Sequence, residues 1–238
     1  MLHESDSVVS QMFHWHEPRD LWDYVTQVQE NISDEDLMNR AGASYQKLKE
    51  AIVASTFAVG FNELINPVQV RMANDELLDF ELQDRKTEEV LEFEIVMAIE
   101  PGRRPGLEYR DGQRPQMPAR AISGEPIDAR WIAPFIDKKT QKARAKNINW
   151  RHLLVCQNIS GGQTDFKKLL ELVPGTEKTW QSIWLIVGVP DRSFMVLISN
   201  AVGFPCDLHK WLPNYQWVTF LNKKDKVTHD YDESWSDT

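Results

Sequence analysis

Acidic side chains alternate with apolar ones in two neighbouring stretches of this sequence. Asp79 lies in Leu77–Leu82, and Glu92 and Glu94 lie in Val90–Ile99. Because side chains alternate between the two faces of a β-strand, Glu92 and Glu94 share one face of theirs. If the two stretches pair as an antiparallel hairpin, the three carboxylates converge, and their mutual repulsion favours a cation between them. Such oxygen ligands suit Mg²⁺ or Mn²⁺, which can activate water against a phosphodiester. The alternative is an amphipathic hairpin whose acids face water.

Basic side chains concentrate in a later part of the chain. Between Gly102 and Arg151 there are 12 Lys and Arg residues against 5 Asp and Glu, although the whole chain has a net charge of −9. This asymmetry indicates either an anion-binding face on an acidic body or a solvated basic surface without a ligand. A long loop at 101–126 opens the segment, and loops of this length are typically functional or mobile.

Several common functional classes lack their signatures. The sequence has no Gly-rich phosphate loop ending in Lys-Ser/Thr, no dinucleotide-binding glycine fingerprint and no Gly-x-Ser-x-Gly elbow. The cysteines, Cys156 and Cys206, provide neither a disulfide framework nor a zinc spacing, and Cys156 should be inert in an apolar strand. The longest nearly apolar run, Ala51 to Phe61, is too short to span a membrane, and the N-terminus lacks the features of a signal peptide. We therefore expect a cytoplasmic protein with no membrane partner.

The hydrophobic pattern predicts the elements that position these side chains. We expect a mixed α/β core at 44–200, an N-terminal helical extension at 1–43, and a C-terminal extension with a polar tail at 201–238. The predicted elements are a helix at Ser44–Leu64, strands at Val68–Met72, Leu77–Leu82 and Val90–Ile99, a basic helix at Ile127–Asn147 with a break near Pro134, a buried strand at His152–Ile159, a helix at Asp165–Val173, and strands at Ile183–Val189 and Phe194–Ser199.

Aromatic residues are expected to contribute mainly to packing. The N-terminal extension contains the patch Phe13, His14, Trp15 and His16, and some of the extension should form a helix packed on the core. Tryptophans are expected to bury large areas rather than to stack on nucleobases. This expectation covers Trp180, Trp184, Trp211 and Trp217.

The order of elements, together with the acidic motif, resembles the PD-(D/E)XK nuclease superfamily. The restriction-endonuclease-like core of that family is a helix, a three-strand meander, a helix and a strand, and its signature is an Asp opening the second strand and a Glu-x-Lys on the third. Asp79 matches the Asp and Glu92 matches the Glu. Glu94 stands where the Lys should be, as in some type II restriction enzymes, and Leu78 replaces the Pro of the signature. The similarity covers about residues 44–175.

The resemblance implies roles for individual residues. Glu50, which precedes Gly60-Phe61 on the first helix, corresponds to a metal-assisting Glu, with Glu63 as the alternative. Lys138 and Lys142, four apart on one face of the basic helix, are candidates to replace the missing motif Lys. The implied metal ligands, for Mg²⁺ or Mn²⁺, are Glu50, Asp79, Glu92 and Glu94. The implied nucleic-acid contacts are Arg103, Arg104, Lys138, Lys139, Lys142, Arg144 and Lys146.

Three functions follow from these observations. The first is a metal-dependent endonuclease of restriction or repair type that acts on DNA, with a homodimer as a candidate assembly. The second is a non-catalytic binding or assembly module on the same fold, favoured by the missing Lys and the acidic net charge. The third is an unrelated α/β protein, such as a phage or immunity accessory factor, whose acids only decorate the surface. Convergence of Asp79, Glu92 and Glu94 discriminates between them.

Overall fold

The computed structural model describes residues 10–33, 36–37, 43–75, 77–104, 125–148, 151–159, 164–188, 192–201 and 218–221. Several predicted features lie outside these residues. They are most of the 101–126 loop, from 105 to 124, together with Cys206, Trp211, Trp217 and the polar tail from residue 222.

The described residues form an alternation of helices and strands. In chain order the elements are α1 (Pro18–Glu30), α2 (Ala43–Leu64), β1 (Val68–Asp75), β2 (Leu78–Asp84), β3 (Val90–Ile99), α3 (Ala129–Ala145), β4 (Arg151–Asn158), α4 (Phe166–Leu172), a 3-10 turn (Thr176–Lys178), β5 (Trp180–Gly188), β6 (Arg192–Asn200) and β7 (Val218–Leu221). The prediction of an α/β protein is confirmed.

The described strands form one mixed sheet of seven strands in sequence order. β1, β2 and β3 are an antiparallel meander, β3, β4 and β5 are parallel, and β5, β6 and β7 are again antiparallel. The predicted antiparallel pairing of the Asp79 and Glu92 strands is confirmed, as is the presence of the His152–Ile159 stretch in the same sheet. Parallel pairing of β3 with β4 requires a crossover, which α3 provides.

Each face of the sheet carries its own hydrophobic core. On the first face α1 and α2 cover an aromatic cluster of Phe57, Phe61, Phe80, Phe93 and Trp184. On the second face α3 and α4 cover Leu153, Val155 and Ile183. Since both faces of β4 are buried, its central residues, Leu153–Cys156, form a continuous apolar run rather than an alternation.

One detail differs from the sequence expectations and another agrees with them. The predicted break near Pro134 does not occur, because α3 runs through this proline from Ala129 to Ala145. Pro134 is exposed, so the carbonyl that loses its helical partner can be hydrated. The N-terminal extension does contain the expected helix, α1, which packs on the first core through Leu21, Trp22 and Val25. None of the helices in the described ranges has the length and apolar character needed to cross a membrane.

Candidate functional site

The strands β2 and β3 part beside Asp79. Their ladder runs from the Gln83–Val90 pair to the Phe80–Phe93 pair. Beyond Phe93, β3 continues to pair with β4 as far as Ile99. On the edge of β3 that faces β2, a side chain takes the place of the next backbone partner. Asp79 Oδ2 accepts a hydrogen bond from the Ile95 amide at 2.5 Å. The parting of the strands therefore brings a carboxylate onto the backbone of β3.

A lysine of α3 joins the carboxylates of these two strands. Lys139 Nζ donates to Glu94 Oε2 at 2.7 Å and lies 3.7 Å from Asp79 Oδ2. The side chain of Glu94 is only 5% exposed, so its charge depends on this ammonium group for compensation. Asp79, Glu94 and Lys139, hereafter the fork cluster, thus carry two negative charges and one positive charge in a partly buried position.

Sequence reasoning placed Lys139 among the DNA contacts, whereas it assigned the role of the motif Lys to Lys138 or Lys142. Helical periodicity could have identified Lys139 as the inward-facing lysine. Lys139 follows the buried Ile132 and Ile136 by seven and three positions, which places it on the inner face of α3. Lys138 and Lys142 lie on the outer face and are exposed.

Glu92 faces a different cation. Arg151 Nε donates to Glu92 Oε2 at 2.6 Å, and an Nη group of the same arginine donates to the Leu77 carbonyl at 2.6 Å. Glu92 lies directly opposite Glu81 of β2, and Glu81 pairs in turn with Arg71 of β1. Glu92 therefore belongs to a row across the sheet in which two adjacent glutamates are each paired with the arginine on their outer side, next to the fork cluster rather than within it.

The predicted glutamates of the first helix have partners elsewhere. Glu50 Oε1 accepts from Gln46 Nε2 at 2.9 Å, and Glu50 Oε2 lies 3.1 Å from Lys47 Nζ. Glu63 is paired with Arg19 of α1. Because α2 packs on the first face of the sheet and Glu94 points to the second, Glu50 lies on the side opposite the fork cluster.

The predicted four-carboxylate metal set is accordingly not assembled. Within the described ranges, no three or more His, Cys, Asp and Glu side chains are grouped so that they could hold a metal ion. Asp79 and Glu94 share a partner, Lys139, while Glu92 and Glu50 each have other ionic partners. Of the four predicted ligands for Mg²⁺ or Mn²⁺, Asp79 and Glu94 are thus the two that share a partner, and their oxygens are of the chemical type that these ions prefer.

The predicted nucleic-acid contacts divide into two groups. Lys138, Lys142, Lys146 and Arg104 are exposed and available to an anion. Arg144 instead anchors α3 to the turn before β5, where it donates to Thr179 Oγ1 at 2.9 Å and to the Gly175 carbonyl at 2.6 Å. Arg103 donates to Asn158 Oδ1 at 3.1 Å. These two arginines therefore have structural contacts that the sequence interpretation did not foresee.

A buried histidine lies on the first face of the sheet, behind the fork cluster. His152 Nδ1 is 2.8 Å from Ser182 Oγ, which also accepts a hydrogen bond from Trp184 Nε1 at 2.8 Å, and its ring lies 4.8 Å from that of Phe93. Burial lowers the pKa of His152 to about 3, so the ring is neutral at physiological pH. Burial also raises the pKa of the Cys156 thiol to about 12, which agrees with an unreactive cysteine.

Comparison of the chain with protein-family models, with curated proteins and with solved structures found no match.

Proposed function

We propose that this protein is a metal-dependent phosphodiesterase that acts on DNA, with the fork cluster as its active site. The observation that carries the proposal is the bridging position of Lys139, 2.7 Å from Glu94 Oε2 and 3.7 Å from Asp79 Oδ2, where β2 and β3 part. The order α2, β1–β2–β3, α3, β4 supports a restriction-endonuclease-like core. A meander followed by a helical crossover to a parallel strand has the element order of that core.

The geometry favours a revised alignment of the nuclease signature. Extending the β2–β3 register by one residue past the Phe80–Phe93 pair places Asp79 opposite Glu94, not Glu92. Glu94 then corresponds to the motif Glu, and Val96, two residues later, stands at the position of the motif Lys. Lys139 supplies the missing ammonium group from α3. This alignment explains why Glu92 is occupied by Arg151 without any loss to the proposed site.

Each residue of the fork cluster has a distinct role in this proposal. Asp79 and Glu94 would hold the cation, and the Ile95 amide fixes the orientation of the Asp79 carboxylate. A bound Mg²⁺ or Mn²⁺ would supply Lewis acidity to the phosphodiester and would lower the pKa of a water molecule. Lys139 is placed to neutralise charge that develops on the phosphoryl oxygens, which is the usual contribution of a lysine in a phosphoryl-transfer site. The exposed Lys138 and Lys142 would contact more distant phosphates.

A plasmid-cleavage assay with Mg²⁺ or Mn²⁺ tests the proposal. Asp79→Asn and Glu94→Gln should each abolish cleavage, and Lys139→Met should reduce the rate about 100-fold or more. Lys167→Met, at an exposed lysine of α4 outside the proposed phosphate contacts, is the control and should retain the wild-type rate. Cleavage that survives in the Asp79→Asn/Glu94→Gln double variant would place the activity elsewhere.

The metal dependence of these variants gives a sharper signature. Because Lys139 competes with a cation for the same carboxylates, Lys139→Met should bind Mn²⁺ more tightly than the wild type while it cleaves more slowly. Isothermal titration with Mn²⁺ measures this effect. A variant that loses both metal binding and cleavage would show that Lys139 only maintains the structure.

DNA as the substrate has its own test. Phosphate contacts release counterions, so the logarithm of the affinity falls linearly with the logarithm of the salt concentration. Removing Lys138 and Lys142 together should flatten this slope by at most about two units and should weaken binding to all DNA sequences alike. Anisotropy titrations at several salt concentrations, with Ca²⁺ as an inert cation, measure the slope. Absence of DNA affinity at low salt would contradict the proposal.

A non-catalytic binding module is the second candidate. It is favoured by the neutralisation of Glu94 by Lys139 and of Glu92 by Arg151, since ion pairs of this kind also stabilise a site that holds no metal. The two candidates differ in one result: the module would bind DNA with the expected salt dependence but would leave plasmid intact with either metal.

A further inference from the structure

The N-terminal segment brings Trp15 to the second face of the sheet. The His16 amide donates to the Val70 carbonyl and the Val70 amide donates to the His16 carbonyl, both at 2.9 Å, and the Met72 amide donates to the Met12 carbonyl at 2.8 Å. This segment therefore runs along the outer edge of β1. Because His16 pairs with Val70, the preceding residue, Trp15, stands beside Arg71.

Trp15 differs from the other tryptophans that the structure describes. Trp22 and Trp184 belong to the first core, Trp180 belongs to the second, and Trp131 packs against the second. Trp15 is in neither core and remains partly exposed. Its ring covers the guanidinium group of Arg71, 4.4 Å from the ring centroid. The backbone bonds of its segment, rather than burial, thus determine where this indole lies.

The Trp15–Arg71 pair lies on the same face of the sheet as the fork cluster. Arg71 is the register partner of Glu81 and is ion-paired with it. Glu81 follows Asp79 by two positions on β2, so both side chains point to the same face. Strand spacing and rise give a backbone separation of about 12 Å between Trp15 and Asp79. This distance corresponds to a few nucleotides of a bound strand.

We infer that Trp15, backed by Arg71, is a stacking platform for an unpaired nucleobase, and that the DNA bound at the fork cluster is single-stranded where it passes this platform. The inference rests on the proposed function and adds the substrate class. Nucleobases stack on aromatic side chains and on guanidinium planes regardless of their identity. A base inside a duplex has both faces covered by its neighbours, so an indole fixed on a sheet surface can stack only on a base that is unpaired.

Equilibrium binding to matched oligonucleotides tests this inference. The probes are a labelled oligothymidylate and the same strand annealed to oligodeoxyadenylate. Binding of the protein to each probe is measured by fluorescence anisotropy in a buffer that contains Ca²⁺. Trp15→Ala should weaken binding to the single strand about 5- to 150-fold and change duplex binding little. Trp15→Phe should retain most of the single-strand affinity because it keeps a π-face. His14→Ala, one residue away and exposed, is the matched control and should behave as the wild type.

The outcomes separate the platform from a structural role and from the proposed function. If Trp15 only anchors the N-terminal segment, Trp15→Ala will lower the melting temperature and leave the single-strand affinity of the folded protein unchanged, which overturns the inference. Equal losses for single strand and duplex also overturn it. Plasmid cleavage with no effect of Trp15→Ala on single-strand binding would refute the platform alone. Single-strand binding that requires Trp15, in a protein that cleaves nothing, would refute the nuclease alone.

Discussion

The side chains on the two faces of β3 lie in contrasting environments, an aromatic cluster on the first face and an ion pair on the second. Phe93 points to the first face, where it stacks on Phe80 at a centroid distance of 4.8 Å and contacts Phe57. The next residue, Glu94, points to the second face and is held by Lys139. The first face buries aromatic area, and the His152 ring that is buried there is neutral at physiological pH. The second face buries charge that needs compensation. Aromatic packing and a nearly buried ion pair are therefore separated by a single residue step along one strand.

The largest expected effect concerns the aromatic face. Phe57 contacts Phe61, Phe80, Phe93 and Trp184, so Phe57→Ala removes a fully buried ring from the centre of the cluster. We expect a loss of about 3–5 kcal/mol in the free energy of unfolding. Phe57→Leu should cost less because it leaves a smaller cavity. Denaturant unfolding measures the decrease in the free energy of unfolding for both variants. If Phe57→Ala caused a smaller decrease than Glu94→Gln, the comparison between the two faces would be reversed.

The next effect concerns the ion pair on the charged face. Lys139→Met leaves the nearly buried Glu94 carboxylate without its cation, and we expect a loss of about 1–3 kcal/mol in the free energy of unfolding. Glu94→Gln together with Lys139→Met should be more stable than Lys139→Met alone, because no uncompensated charge remains. A double-mutant cycle from urea unfolding gives the coupling energy. A coupling near zero would mean that the two groups do not depend on each other.

The third effect is a pH dependence on the aromatic face. The folded-state pKa of His152 is about 3, below the ordinary value of 6.5, so between these values the unfolded state binds a proton that the folded state does not. The stabilisation is complete above pH 6.5 and is lost as the pH falls towards 3, by at most about 1.4 kcal/mol per pH unit. Urea unfolding at pH 7 and pH 5 should show a smaller decrease in His152→Gln than in the wild type. Equal decreases would contradict burial of a neutral ring.

The smallest effect concerns the second ion pair of the charged face. Glu92 is 42% exposed, so its pair with Arg151 is screened by solvent. Glu92→Gln should change the free energy of unfolding by less than about 1 kcal/mol and should retain cleavage. A loss of cleavage comparable to that of Glu94→Gln would restore the original alignment, in which Glu92 is the motif Glu.

These contrasts show which parts of the molecule the sequence could predict. The hairpin, the buried strand β4 and the basic helix were predicted because alternation and periodicity are local properties. The separation of Glu92 from Asp79 and Glu94 was not predicted, because it depends on register. Register is set by the turn after β2, where the Asp84 carboxylate accepts from the amides of Lys86 and Thr87. Arg151 could not be assigned to Glu92 because the two meet only across the sheet.

Thermal unfolding with and without Mn²⁺ tests the central claim most directly, since a metal that binds only the folded protein raises its melting temperature. The account predicts a rise for the wild type and for Glu92→Gln, a larger rise for Lys139→Met, and no rise for Asp79→Asn or Glu94→Gln. A Mn²⁺-induced rise that persists in the Asp79→Asn/Glu94→Gln double variant, or its absence from the wild type, would contradict the assignment of the fork cluster as a metal-dependent active site.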